Sequence, residues 1–374
     1  MKRRAFLCVL VLGVALTFPE SARADAGTPL MWAEILHLLI GNFLIGIGEG
    51  LLLTWLFSAP SRRTILVMIV ANYFSAWVGC FLMQGPLLSA LPMDLNNGWR
   101  WFWTMVVASY FMTVVLEWPF IAFCLRGKQN WLKRSIRASL IVQAASYVLL
   151  FGWYGMATRT SLYTQMNIVA PAAMDLPKSV QIYFISSTDG NVHRRKLACG
   201  EEKIFELNST EIVDRLFVRP NLQDTNHWDL MARIGTADER ASRIVEVVTN
   251  MVADVALERH SVVDRSSYDY EGPRGNSGIE LAFGSPAKNR WTFWCSFWAG
   301  GGLRAEENST SETVRFAYET PFGQWAVRDV VHLPNDTALF QLGNDQICAF
   351  DPATKRVTLL WHGRGPVAVI EKGN

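Results

Sequence analysis

The chain has 374 residues, enough for two domains, and carries a net charge of +2. Hydrophobic residues make up 50% of it, with 15 tryptophans and 21 phenylalanines, which is more than an ordinary soluble domain needs and is typical of several membrane spans. No basic run occurs outside the short loops between the apolar segments, so the electrostatic footprint of a nucleic-acid-binding protein is missing and no nucleic-acid partner is expected.

The N-terminal residues have the order of a secretory signal peptide. Three basic residues, Lys2 to Arg4, precede a 14-residue apolar run, 5–18, and the sequence SARADA follows. The small residues predict cleavage after Ala24 or Ala26, which makes 1–26 the signal peptide. The alternative is an uncleaved anchor that forms a fifth span. Cleavage is favoured because the run is shorter than the ~20 residues that a span needs.

Four long apolar segments follow within residues 31–157, each near the length of a membrane span. They cover 31–57, 64–92, 101–124 and 138–153. The loop after the first segment holds Arg62 and Arg63, and the loop after the third is richer still in basic residues. By the positive-inside rule both loops are cytoplasmic, so the mature N-terminus and everything after the fourth segment are predicted to lie outside.

From about residue 160 the pattern changes to short runs of strand length separated by turn residues. The clearest are VRDVVH, ALFQL, QICAF, RVTLLW and PVAVI, with PND, GND, DPAT and GRG between them. Even spacing of this kind predicts an antiparallel meander. The segment QICAFDPATKRVTLLWHG resembles one blade of a β-propeller, so residues 160–374 are predicted to form a propeller-like extracytoplasmic β domain, with a β-sandwich as the alternative. The predicted fold class is therefore an α+β membrane protein, a four-helix transmembrane bundle followed by an all-β domain.

Polar residues interrupt the apolar segments at matching depths. Glu49 lies within IGIGEGLLLTWLF, where a carboxylate in hydrocarbon costs several kcal/mol unless it is paired or wetted. If the hairpins turn near residues 60 and 131, the ~1.5 Å rise per helical residue places Glu49 level with Asn72, and Glu117 level with Gln143 and Ser146.

The two hairpins share a pattern, because each glutamate is followed by an amide and then by a serine three residues later. This pattern predicts two duplicated helical hairpins related by a pseudo-twofold axis along the membrane normal. The predicted intramembrane polar cluster consists of Glu49, Asn72, Ser75, Glu117, Gln143 and Ser146.

Two roles fit this cluster. Amides and serines that hydrogen-bond between spans contribute ~0.6–2 kcal/mol each, so the cluster could serve packing alone. Ionisable residues beside weakened helix, here glycines 46, 48 and 50 and Pro119, are also typical of proton or cation paths. Packing is favoured because four spans make a small transporter and because no further ionisable residue continues such a path. Gly46 and Gly50 have the small-xxx-small spacing that permits close helix contact.

Residues 160–374 lack the sequence motifs of common catalytic and metal sites. HExxH, GxSxG, CxxC, a P-loop and an EF-hand loop are all missing. The five histidines have no metal-ligand spacing, so no metal or cofactor is expected, and an enzyme is the least favoured class. Cys199, Cys295 and Cys348 allow at most one disulfide, and the sequence does not choose the pair.

The favoured interpretation is an integral membrane protein of the cell envelope that presents an exported β-rich binding or scaffold domain. Its expected partners are the lipid bilayer and an extracytoplasmic protein or ligand. The alternative is a small ion- or solute-coupled membrane transporter that uses the Glu/Asn/Gln/Ser cluster.

Overall fold

The structure is a computed structural model that describes residues 29–83, 91–157, 166–197, 202–221, 227–235, 243–252, 279–281, 290–295 and 302–370. The predicted signal peptide, 1–26, and Cys199 lie outside the described residues. In the described part, long apolar helices are followed by a β-rich region with a curled, mainly antiparallel sheet, which confirms the α+β class.

The helical half contains four helices that are long and apolar enough to cross a membrane, as predicted from the sequence. The first is built from two α-helices joined by a π-helical segment, His37–Gly41. The α-helices are α1 (Pro29–Leu36), α2 (Asn42–Phe57), α3 (Ser61–Met83), α4 (Gly98–Leu125) and α5 (Trp131–Ala157). Four such helices give the chain the character of a membrane protein.

Helices α2 and α3 form a hairpin whose backbones approach closely at two glycines. A Cβ atom at Gly46 would lie 2.6 Å from the Ile69 Cα, and one at Gly50 would lie 2.6 Å from the Ile65 Cα. The four-residue spacing places both glycines on the face of α2 that meets α3. A backbone atom cannot move aside as a side chain can, so this contact needs glycine at both positions.

Nine strands of the β-rich half form one large sheet, and three smaller sheets contain the other described strands. The strands are β1 (Asn167–Ile168), β2 (Val180–Ser186), β3 (Val192–Lys196), β4 (Glu202–Phe205), β5 (Arg215–Pro220), β6 (His227–Ile234), β7 (Arg243–Val252), β8 (Ile279–Leu281), β9 (Trp291–Cys295), β10 (Leu303–Glu307), β11 (Thr313–Phe316), β12 (Tyr318–Thr320), β13 (Gly323–Trp325), β14 (Val327–His332), β15 (Ala338–Leu342), β16 (Gln346–Asp351) and β17 (Arg356–Ile370). The large sheet has the order β4-β3-β2-β17-β16-β15-β14-β8, with β1 beside β17. Its pairs are antiparallel except β1 with β17 and β8 with β14.

Two of the three small sheets pack on one face of the large sheet. The sheet of β9, β10 and β11 covers β14 to β17, where Phe316 packs against Phe340 and Phe350. The sheet of β5, β6 and β7 covers β2 and the second half of β17. On the opposite face of the large sheet, the curl brings Phe184 of β2 and Leu339 of β15 into one buried cluster.

The last two predicted strand runs, RVTLLW and PVAVI, belong to one strand, β17. The intervening Gly363-Arg364-Gly365 bends this strand and does not end it, because its first half pairs with β16 and its second half with β2. Gly365 has φ of 57°, and a Cβ there would meet the Leu216 backbone nitrogen at 3.0 Å. Gly365 therefore lets β5 of a small sheet approach the bend closely, while the Cβ position of Gly363 lies 2.5 Å from the Phe184 ring of β2.

The loop between α3 and α4 inserts into the β-rich half. Leu95 is fully buried in the core that β9 to β11 share with the large sheet. Its backbone N–H donates to the Gln346 side-chain oxygen at 2.6 Å. Asp94 and Asn97 form the turn that presents Leu95, since the backbone N–H of each donates to the side chain of the other at 2.9 Å. One loop of the bundle is thus part of the core of the β-rich half.

Candidate functional site

Glu49 is buried between helices, and both of its carboxyl oxygens accept hydrogen bonds. Asn72 of α3 donates through Nδ2 to Oε2 at 2.6 Å, and the Ser146 hydroxyl of α5 donates to Oε1 at 2.5 Å. The Asn72 amide also donates to the Met68 carbonyl at 3.0 Å, which fixes its orientation. Glu49 is 1% exposed, so these contacts replace water around its carboxyl group.

Glu117 of α4 has a matching environment. Gln143 of α5 donates through Nε2 to Oε2 at 2.5 Å, and the Ser75 hydroxyl of α3 donates to Oε1 at 2.5 Å. Glu117 is fully buried. The structure thus brings together the side chains of all six residues of the predicted polar cluster.

The partners are exchanged between the hairpins in a reciprocal way. Each glutamate takes its amide from its own hairpin, and its serine comes from the other hairpin. The depth comparison paired each glutamate with the amide of its own hairpin, but it did not foresee that the serines cross over. The sequence feature that could have indicated this crossing is a serine one turn after each amide, on the same helix face.

The hydrogen bonds of the two glutamates join both hairpins. Glu49 belongs to α2 and Glu117 to α4, and their four donors belong to α3 and α5. The six side chains of the cluster therefore link α2, α3, α4 and α5 through buried hydrogen bonds.

A second group of polar contacts surrounds the π-helical segment His37–Gly41. The Tyr73 hydroxyl donates to the Leu39 carbonyl at 2.5 Å, and Asn42 Nδ2 donates to the Leu38 carbonyl at 3.4 Å. His37 Nδ1 lies 2.7 Å from the Tyr154 hydroxyl. Isolated π-helical turns in α-helices often mark functional positions, and sequence reasoning missed this one because no local pattern predicts it.

The ends of the helices on the side of the basic loops are also tied across the hairpins. Arg134 at the start of α5 donates to the Phe57 carbonyl at the end of α2, at 2.9 Å. The Arg63 guanidinium near the start of α3 lies 4.2 Å from the centre of the Phe123 ring near the end of α4. These contacts repeat the crossing between hairpins that the serines make nearer the centre.

In the β-rich half, the buried charges join sheets. Arg215 of β5 pairs with Asp329 of β14 at 3.0 Å, and both side chains are almost completely buried. Arg364 of β17 donates to the Ser209 hydroxyl at 2.6 Å, and that hydroxyl donates to Asp214. These partners belong to different sheets or to the loops beside them, so the buried contacts hold the sheets together and have a structural role.

Within the part of the chain that the structure describes, no group of three or more His, Cys, Asp or Glu side chains could hold a metal ion. Cys295 and Cys348 are buried, and neither forms a disulfide with another described cysteine. Comparison with protein-family models, with curated proteins and with solved structures finds no match to this chain.

Proposed function

We propose that the chain is an integral membrane protein of the cell envelope, in which the four-helix bundle holds a β-rich binding or scaffold domain against the outer membrane surface. The observation that carries this proposal is the burial of Leu95 in the core of the β-rich half. A bundle that contributes a loop to the core of the domain does more than tether it. It fixes the domain's position and orientation, as a binding surface close to the membrane requires.

The same contact bears on topology. The loop that carries Leu95 connects α3 to α4, and the β-rich half follows α5, so both leave the bundle at the same end. The basic loops, after α2 and after α4, lie at the other end. The positive-inside rule makes that end cytoplasmic, so the β-rich half belongs outside.

The bundle is proposed to be a duplicated hairpin. Support comes from the reciprocal exchange of serines and from the similar placing of Arg63 and Arg134, each of which reaches the end of a helix in the other hairpin. For the β-rich half, the face-to-face packing of small sheets on a large one favours the sandwich alternative over propeller blades.

A labelling experiment tests the topology on which this function depends. Cysteine is introduced at Gln129, in the loop before α5, or at Ala353, in the exposed turn between β16 and β17, with the native cysteines replaced. A membrane-impermeant maleimide added to intact cells should label only the Ala353→Cys variant. The Gln129→Cys variant should be labelled only after the membrane is opened. Labelling of both in intact cells, or release of the protein from membranes by alkaline carbonate, would contradict the proposal.

The competing function is a small ion- or solute-coupled transporter, and the observation that favours it is the burial of two carboxyl groups in one polar cluster. Transport requires the pair to change its protonation or its partners during each cycle. The hydrogen bonds of the cluster oppose this, since each carboxyl oxygen already accepts a hydrogen bond from a buried donor. Vesicles reconstituted with the parent protein should therefore show no proton flux above that of empty vesicles. A flux that is lost in Glu49→Gln or Glu117→Gln would establish the transporter instead.

A further inference from the structure

An apolar groove runs along the outer surface of the bundle between α3 and α4. Its volume is about 500 Å³. Three residues of each helix line it, at the same i, i+1, i+4 spacing: Leu66, Val67, Val70, Pro119, Phe120 and Phe123. Leu66 is 66% exposed and Val70 is 59% exposed. The groove is therefore open on the outer surface of the bundle, the surface that would contact lipid in a membrane. Pro119 lacks the N–H of a normal helical residue, which weakens α4 along this groove.

One end of the groove is positively charged. The Arg63 guanidinium lies over the Phe123 ring, which lines the groove, and the side chains of Arg62 and Arg63 are both exposed. The two connections at this end of the bundle, residues 58–64 and 124–137, contain seven basic residues and no acidic residue. This end of the groove is therefore suited to an anion, and its walls are suited to hydrocarbon.

We propose that the groove binds one anionic phospholipid, with the phosphate beside Arg62 and Arg63 and an acyl chain along the lining residues. The proposal rests on the membrane insertion proposed above. Basic pockets between transmembrane helices on the cytoplasmic side recognise anionic headgroups, and a guanidinium pairs well with phosphate. From Leu66 to Val70 the groove spans about 6 Å along α3, so it holds the part of the chain next to the headgroup. The positive charge at the groove end favours this occupant over the apolar helix of a second copy.

Native mass spectrometry of the full chain in a neutral detergent can count bound lipids. The protein is titrated with dioleoyl phosphatidylglycerol and, separately, with dioleoyl phosphatidylcholine. One phosphatidylglycerol should bind at least about fivefold more tightly than phosphatidylcholine, the effect of about one basic residue near an anionic headgroup. Arg63→Gln should weaken phosphatidylglycerol binding by about that factor and phosphatidylcholine binding by less, because the choline cation offsets the charge of its phosphate. Val70→Trp should fill the groove and weaken retention of the phosphatidylglycerol.

The chain offers a matched control for Val70→Trp. Ile141 of α5 is also exposed and is outside the groove lining, and it precedes Gln143 by two residues as Val70 precedes Asn72. Ile141→Trp should retain the lipid like the parent. Equal affinity for the two lipids, an equal loss in both Trp variants, or competition by glycerol phosphate alone would each overturn the proposal. A dimer of the parent protein that dissociates in Val70→Trp would also overturn the proposal, because a second copy would then occupy the groove. Flotation of the reconstituted protein with liposomes tests insertion separately, so a chain that floats but shows no lipid preference contradicts this inference alone.

Discussion

At the scale of single residues, the hydrogen-bond partners of Glu49 and Glu117 decide whether these buried acids stabilise or destabilise the bundle. Each carboxyl group is buried, and each accepts hydrogen bonds from one amide and one serine. A buried polar group destabilises a fold mainly when a partner is missing. The two acids can therefore stabilise the bundle, because the sequence supplies donors on all sides of them.

Substitution of the glutamates separates shape and hydrogen bonding from charge. Glu49→Gln and Glu117→Gln keep the volume and one acceptor, so we expect each to stay within about 1 kcal/mol of the parent in unfolding free energy. Glu49→Ala and Glu117→Ala leave buried donors without an acceptor and should each cost roughly 1–3 kcal/mol. Thermal unfolding in a mild detergent, followed by the circular dichroism of the helices, measures both. Alanine variants as stable as the glutamine variants would contradict this explanation.

His332 predicts a pH dependence in the β-rich half. Burial lowers the pKa of His332, and the nearby Asp336 carboxylate, 3.2 Å away, only partly opposes this effect. The folded state then binds fewer protons than the unfolded state, whose histidine pKa is about 6.5. The stability that the folded state gains from its neutral His332 should thus be fully present above that pH and be lost progressively as the pH falls below it.

The measurement for His332 is the difference in unfolding free energy between parent and His332→Gln across the range of about pH 7.5 to 5. Relative to the variant, the parent should lose stability toward the acid end. A constant difference between parent and His332→Gln across the range would show that the native state does not resist protonation there.

At the scale of elements, the bundle depends on how closely its helices approach. Gly46 and Gly50 set the contact between α2 and α3, and this contact brings Asn72 within reach of Glu49. Nearer the start of the first long helix, the π-helical segment His37–Gly41 frees carbonyl groups that Asn42 and Tyr73 bind. Backbone geometry at these places determines which side chains can meet.

A glycine series tests the close contact. Gly46→Ala and Gly50→Ala each push a methyl group against the backbone of α3, and we expect a loss of about 1–3 kcal/mol, typical of overpacking. Gly48 lies between them and has nothing within 4 Å of its Cβ position. Gly48→Ala should be neutral or stabilising by up to about 1 kcal/mol, because alanine favours helix. Equal melting temperatures for the three variants in detergent would show that the helices can separate without cost.

At the scale of the whole molecule, the bundle and the β-rich half share a core through one loop. Leu95 is buried there, the Cβ position of Gly98 lies 2.9 Å from the Tyr318 ring, and the Phe102 ring lies 5.9 Å from that of Phe322. The two halves should therefore stabilise each other, even though one consists of long apolar helices and the other of strands.

Leu95→Ala should destabilise the β-rich half by about 2–5 kcal/mol, the usual cost of removing a buried leucine side chain. Limited proteolysis should then cleave the β-rich half faster than in the parent while the helices stay protected by detergent. Asn96 is the adjacent exposed residue, and Asn96→Ala should change the unfolding free energy by no more than about 0.5 kcal/mol. Unchanged proteolysis of Leu95→Ala would mean that the loop only touches the domain.

Local patterns in the sequence were enough to predict the four long helices, the β-rich half and most strands of the C-terminal meander. The length of an apolar run and the alternation of a strand are properties of neighbouring residues, so they can be read without the fold. The signal peptide, the duplication, the side of the membrane and the role of the cluster stay predictions.

Tertiary structure alone decided how distant segments combine. The pairing of Ser146 with Glu49, the insertion of Leu95 beside Gln346 and the continuation of β17 through Gly363 and Gly365 all join residues whose sequence neighbours give no sign of the contact. Helix depth fixed which residues share a level within one hairpin, because rise per residue is constant. It could not fix which hairpin supplies each serine, because that depends on how the two hairpins pack against each other.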